Sequence, residues 1–235
     1  MIYNTSAFSF PGRKKENQDS YTSFALDGDH HVICIADGVG GRKGGAEASM
    51  LAITEVKHVF SENLFTTMVD LFDRVHHKVL KQSKDLKLPE MSTTLTVVYV
   101  NKDDVTIGHV GDCRLYHLRG RGIVTKTYDQ SEKQKLIDDG VLSRERALYY
   151  HRKNILLSVI APDKQYELYE AKFKVVIKDR LLLVSDGVYN ICTKKELSML
   201  SEKVLTVSQW LGSISSLIKG REFKDDYTAV ALEFL

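Results

Sequence analysis

Twice in this chain an apolar run stops at Asp-Gly. Ile33-Cys34-Ile35-Ala36 leads into Asp37-Gly38-Val39, and Leu182-Leu183-Val184-Ser185 leads into Asp186-Gly187-Val188. A third apolar run ends at Gly111-Asp112, while Asp19 and Asp225-Asp226 stand just ahead of two more. Carboxylates gathered in a partly buried place repel one another and cannot all stay ionised unless cations neutralise them. Hard oxygen ligands of this kind select Mg2+ or Mn2+ over zinc or copper. Two such ions sharing a water lower its pKa and clamp an in-line phosphoryl displacement. The glycine after each aspartate would let the backbone turn sharply and bring a carbonyl oxygen near a metal. A single Asp-Gly is more often a plain turn. The recurrence at several strand ends points instead to one shared pocket.

Positioning those aspartates requires strands. His31–Ala36, Thr94–Val100, Val105–Val110 and Leu181–Val184 are short β-branched or fully apolar runs, as expected of buried strands. Phe173, Val175 and Ile177 recur at every second position, with Lys172 and Lys174 beside the first of them, and predict a half-exposed strand, followed by a turn at Lys178-Asp179-Arg180. Helical spacing runs through residues 45–60, through Met68 to Leu80 and through Leu211 to Ile218, with Gly220 placed as a stop. Thr193 and Glu196 have the spacing of a capping box. Strands and helices segregate rather than alternate, which predicts an α+β fold: a layered sandwich of sheets covered by helices.

Composition narrows the partners. The 235 residues are 43% hydrophobic, enough for one substantial core, and 33 basic against 31 acidic residues leave a formal charge of +2. Such a balance disfavours a nucleic-acid or membrane-surface binder; the basic clusters at Arg13-Lys14-Lys15 and Arg42-Lys43 are short. Cys34, Cys113 and Cys192 form no Cys-x-x-Cys pair, so buried free thiols in a reducing compartment are expected. Neither a signal peptide nor an apolar run of membrane-spanning length is evident, which predicts a cytoplasmic protein with no membrane insertion. Of the histidines, His76, His77 and His151 are expected on polar surfaces and His109 in a strand as a core or edge residue.

Seven segments in order carry a resemblance: Glu16-Asn17-Gln18-Asp19-Ser20, Ala36 to Gly41, Ser92-Thr93-Thr94, His109 to Tyr116, Asp129-Gln130-Ser131, Ser185-Asp186-Gly187 and Asp225-Asp226-Tyr227-Thr228. Nearly end to end, the chain resembles the metal-dependent type 2C protein phosphatases (the PPM family) in their compact bacterial form. The resemblance implies a single domain over residues 1–235, built on two antiparallel sheets flanked by helices, with a flap at about 131–160. It implies a protein serine/threonine phosphatase acting through a metal-bridging hydroxide. Asp37 would bridge two Mn2+ or Mg2+ ions, with the Gly38 carbonyl on one of them and Asp186 and Asp225 on the other. Asp19 would join the same network, and Asp112 with Asp186 would hold the weaker third ion of many members. Phosphorylated proteins would be the substrates, with a Ser/Thr kinase as the opposing enzyme and no nucleic-acid partner.

This chain departs from the family pattern at several positions. Lys14 stands where an arginine usually grips the phosphate, with Arg13 beside it, so either could serve. Gln18 replaces the more common Glu, and Asp226 stands where Asn is usual, adding a charge near the site. Val39 replaces the histidine that animal members offer as general acid, and Cys113 replaces a serine as a packing change. The departures keep open a second reading, a regulatory or binding protein on the same fold with little activity. A carboxylate-metal nuclease is a third, against which the near-neutral charge counts.

Overall fold

In β3 (His30–Asp37) the residues Val32, Cys34 and Ala36 are buried on one face, and Ile33 and Ile35 on the other. A strand covered on both sides reads as an unbroken apolar run rather than an alternating one, and the layers follow from that. A computed structural model describes residues 3–13, 16–39, 43–152 and 154–235. Ahead of β3 run β1 (Tyr3–Phe10) and β2 (Asp19–Ala25). Two long helices follow, α1 (Gly45–Glu62) and α2 (Met68–Asp85), and then β4 (Leu95–Asn101), β5 (Asp104–Val110), β6 (Arg114–Arg119) and β7 (Gly122–Thr125). The short helices α3 (Glu132–Asp138) and α4 (Arg144–Ala147) precede β8 (Tyr169–Lys174) and β9 (Arg180–Val184). The chain closes through α5 (Asp186–Tyr189), α6 (Lys194–Glu202), α7 (Val207–Lys219) and β10 (Tyr227–Phe234).

All strand pairs are antiparallel, in two five-stranded sheets ordered β1-β10-β9-β6-β7 and β2-β3-β4-β5-β8. Between the sheets Ile33, Ile35, Val98 and Ile107 meet Leu115, Leu181, Leu183 and Val230. Outside one sheet, α1 and α2 bury Val56, Leu71 and Phe72 against Val32, Cys34 and Val97. Outside the other, α7 buries Trp210, Ile214 and Ile218 against Leu182, Val184 and Ala231. Helix, sheet, sheet and helix thus stack in four layers. The α+β sandwich expected from the sequence is the observed fold.

Local signals set the helix ends. Thr193 and Glu196 make both halves of the capping box at the start of α6, and the Thr67 side chain caps α2. Gly220 does end α7, but at φ −78° it needs no glycine freedom. One strand differs from expectation. The alternating segment is Tyr169–Lys174, and Val175 then leaves the sheet while staying buried; Val176 and Ile177 are exposed in the turn. The last strand pair is Asp104 with Lys174, and beyond it only the Val175 N–H still reaches across, to the Asp103 carbonyl (2.9 Å).

Candidate metal centre and active site

The aspartates converge. Asp37, Gly38, Asp112, Asp186 and Asp225 line one cavity of about 230 Å3, together with Val39, Thr94, Asn154 and Leu156. Each acid comes from the end of a separate strand, at the same end of the sandwich. Asp37 closes β3 and pairs directly with Asp19, the first residue of β2. Asp112 follows β5, Asp186 follows β9, and Asp225 precedes β10.

The backbone around Asp37 is pinned on both sides. Its N–H donates to Thr94 Oγ1 (3.0 Å), and its carbonyl accepts from the Thr94 N–H (2.8 Å) and Thr93 Oγ1 (3.0 Å). Asp112 follows Gly111, whose φ of +114° suits glycine alone, and a Cβ there would stand 2.5 Å from Thr94. The Tyr189 hydroxyl donates to Asp112 Oδ2 at 2.9 Å. Tyr189 is itself covered by the Arg114 guanidinium, 3.7 Å from its ring centre, and Arg114 is held by Asp129.

The two Asp-Gly glycines have a different reason from the sharp turn expected. A Cβ on Gly38 would lie 2.4 Å from the Gly45 carbonyl, and one on Gly187 only 2.0 Å from the Asp226 carbonyl. Close packing of main chain on main chain, not a left-handed turn, excludes side chains at these positions. Asp186 accordingly opens the one-turn helix α5 rather than a turn.

Asp19 lies behind the cavity wall and is 8% exposed; Ser185 Oγ donates to its Oδ2 at 2.7 Å. Asp226 does add a charge near the site, where it helps to raise Asp19, but its oxygens are bonded away from the cavity. Its Oδ1 accepts from the Gly12 N–H (2.7 Å) and its Oδ2 from the Gln18 N–H (2.8 Å), so it ties down both ends of the preceding loop. Arg13 sits on that loop. Its Nη2 donates to Glu222 at 2.7 Å and its N–H to the Lys224 carbonyl at 3.0 Å, and it is not among the residues lining the acidic cavity. Lys14 lies outside the described residues.

Electrostatically the site is a cluster of carboxylates held out of water. Burial, and then Asp19, Asp186, Asp112 and Asp225, push the Asp37 carboxyl well above the usual carboxylate range. Asp19 is pushed to about 6 by burial, against the pull of its Ser185 hydrogen bond. Asp112 is likewise raised to about 6 by burial and by Asp129. Among the described residues, no three His, Cys, Asp or Glu side chains already close round one point where an ion could sit. The acids line a shared space instead. That space fits divalent cations on the chemistry of its donors: carboxylates and a backbone carbonyl, hard oxygens whose mutual repulsion added positive charge would relieve.

The histidines are absorbed elsewhere. His109 is fully buried, with Nδ1 2.8 Å from the Thr96 hydroxyl and Nε2 2.9 Å from the Tyr128 carbonyl, and burial lowers it to about 4. His151 is exposed, and His76 reaches the Ala161 carbonyl. Cys113 is buried, its Sγ 3.5 Å from Thr94 Oγ1. The sequence reading gave no role to Thr94, Ser185 or Tyr189. Thr94 and Ser185 stand in segments that carry the resemblance, whereas the bond from Tyr189 to Asp112 spans 77 residues and leaves no local signal.

Comparison with known proteins places this arrangement. Residues 12–213 match the family model described as protein phosphatase 2C. A serine/threonine phosphatase of Listeria monocytogenes serotype 4b is 27% identical over 205 residues, spanning 83% of this chain and 81% of its own. The protein phosphatase PhpP of Streptococcus pneumoniae is 28% identical, with 79% of each chain covered. The solved serine/threonine phosphatase of Staphylococcus aureus superposes with a TM-score of 0.92 at 23% identity, over 100% of this chain and 96% of its own. The catalytic domain of the phosphatase PstP, solved in complex with two manganese ions, superposes with a TM-score of 0.83 at 22% identity, over 98% and 97%. At those identities the structural likeness is one of fold, while the family match extends over most of the sequence. The chain belongs to the protein phosphatase 2C family.

Proposed function

We infer that this protein is a metal-dependent protein serine/threonine phosphatase that hydrolyses phosphoserine and phosphothreonine in protein substrates. One observation carries the reading: aspartates from the ends of separate strands line a single cavity. Asp37, Asp186 and Asp225, with the Gly38 carbonyl, are the residues that would hold two divalent cations, and Asp112 with Asp186 would hold a weaker third. Asp19 supports Asp37 from behind. Bound ions supply Lewis acidity, charge neutralisation and a water of lowered pKa. Mg2+ and Mn2+ both suit the donors.

The chain's own residues have defined tasks. Thr94 and Thr93 fix the backbone of Asp37, and Tyr189 orients Asp112. Arg13 and Lys14 are the cations proposed to hold the phosphate; Arg13 gives only Nη2 to exposed Glu222, and its guanidinium has further N–H donors to offer the phosphoryl oxygens. Val39 lines the cavity and has no proton to give, so the leaving alkoxide takes its proton from solvent. Asn154 and Leu156 bring the 131–160 segment to the cavity wall, in keeping with a flap that shapes access. Pairing of β1 with β10 along eight residues supports reading 1–235 as one domain. The three free, buried cysteines suit a reducing cytoplasm, where a Ser/Thr kinase would supply the phosphoproteins. Among the described residues no helix is long and apolar enough to cross a membrane.

The test is hydrolysis of a phosphothreonine peptide with Mn2+, without it, and with Asp186→Asn. Turnover that needs both the metal and Asp186 supports the reading. Full activity in excess chelator, or in the variant, overturns it.

A further inference from the structure

A second cavity of about 450 Å3 adjoins the acidic one and shares Asn154, Asp186 and Asp225 with it. Besides Gly187 and the exposed Asn190, its remaining wall combines two kinds of residue. Ile191 and Phe223 are half-buried and apolar, and Phe223 is braced edge-on against Tyr227, 5.0 Å between ring centres. Glu222 and Lys224 are exposed and charged.

The charges are not equivalent. Glu222 is neutralised by Arg13 at 2.7 Å, and Asp186 and Asp225 face the metal centre of the reading above. Among the described residues no carboxylate lies within ion-pair distance of the Lys224 ammonium, although its main chain is fixed by the Arg13 N–H. Next to the proposed reaction centre, then, stands an apolar wall sized for a side-chain stem, with one uncompensated cation in its lining. In an extended peptide each residue advances about 3.3 Å, so a residue adjacent to the phosphorylated one falls within reach of a neighbouring cavity.

From this we propose that the second cavity receives a carboxylate-bearing side chain next to the phosphoresidue of the substrate, with Lys224 as its counter-charge. The proposal rests on the phosphatase reading and assigns its preference for acidic flanking sequence. Ile191 and Phe223 cover the methylene stem, and Lys224 discriminates by charge. The position is exposed, so substitution there leaves the fold intact, and the pair is screened by salt.

The experiment uses phosphothreonine peptides bearing Glu, Gly or Lys at the position before the phosphoresidue, and a second series with the change after it. Each peptide is assayed with Mn2+ against wild type, Lys224→Gln and Lys224→Glu. In one series, wild type is expected to favour the Glu peptide over the Lys peptide by about fivefold in kcat/KM, mostly through KM. Lys224→Gln flattens that ratio and Lys224→Glu reverses it, and 0.5 M salt collapses it in every enzyme. A Glu-to-Lys ratio that is the same in all three enzymes, in both series, overturns the proposal. The Gly peptides separate this from the underlying reading, since absence of their metal-dependent turnover would sink the phosphatase assignment itself.

Discussion

Strand β9 carries an aspartate beyond each end, one buried and one half-buried, and the two have opposite surroundings. Asp179, just before it, is 1% exposed and fully served by the protein. Arg119 donates to both its oxygens (2.8 and 2.7 Å), the Val176 N–H donates to Oδ2 (2.9 Å), and His117 Nε2 lies 2.8 Å from Oδ2. Burial alone would raise it, yet the Arg119, Val176 and His117 contacts hold it below the usual carboxylate range. Asp186, just after the strand, faces three other aspartates across a cavity, and two of them, Asp37 and Asp112, are driven up rather than down. One end of the strand uses a carboxylate as mortar. The other sets carboxylates against one another, a repulsion that an ion from outside would relieve.

That contrast can be attacked at either end. The largest effect is expected from Asp37→Asn, which should lower kcat/KM for a phosphopeptide roughly 1,000-fold while leaving the circular dichroism spectrum intact. Steady-state kinetics at saturating Mn2+ measures it, and a loss under tenfold would remove Asp37 from the centre. At the opposite end, Asp179→Asn should cost about 3 kcal/mol in urea unfolding with activity per folded molecule unchanged. Equal damage to activity would erase the distinction between the two aspartates.

Smaller effects sharpen it. Saturating Mn2+ should raise the melting temperature of the wild type by about 5 °C. Asp37→Asn should show no such shift, and without metal it should melt no lower than the wild type, because one repelling charge is gone. Differential scanning fluorimetry with and without chelator reads both. The smallest effect is in pH. Asp19 is near 6 in the fold against 3.8 for the ordinary carboxyl. Its charge therefore weighs against the metal-free fold above pH 6, and that penalty is lifted as pH falls towards 4. Metal-free wild type should gain stability relative to Asp19→Asn between pH 7.5 and 5. A constant difference across that range would contradict it.

Much of this was legible in the chain, and the reasons are particular. Ile33 to Ala36 and Leu181 to Val184 are apolar without interruption because helices cover one face and the opposing sheet the other, so both strands and their terminal aspartates stand out. After Phe173 the every-second apolar spacing runs on to Ile177, past Lys174, the last residue of the strand; pairing with β5 is a long-range fact that periodicity cannot hold. Similarly, Asp226 next to Asp225 looks like a second acid for the site. Only the folded loop shows that two backbone N–H groups consume it. Arg13 was equally ambiguous, since its partner Glu222 lies 209 residues away.

Gly187, whose missing Cβ would lie 2.0 Å from the Asp226 carbonyl, has one more consequence. The spacing between Asp186 and Asp225 is set by two peptide planes in contact, and such planes have fixed dimensions and no rotamers. Drift in the surrounding apolar residues can therefore proceed without retuning the gap between these two acids, whereas a single added methyl group at position 187 would wedge them apart.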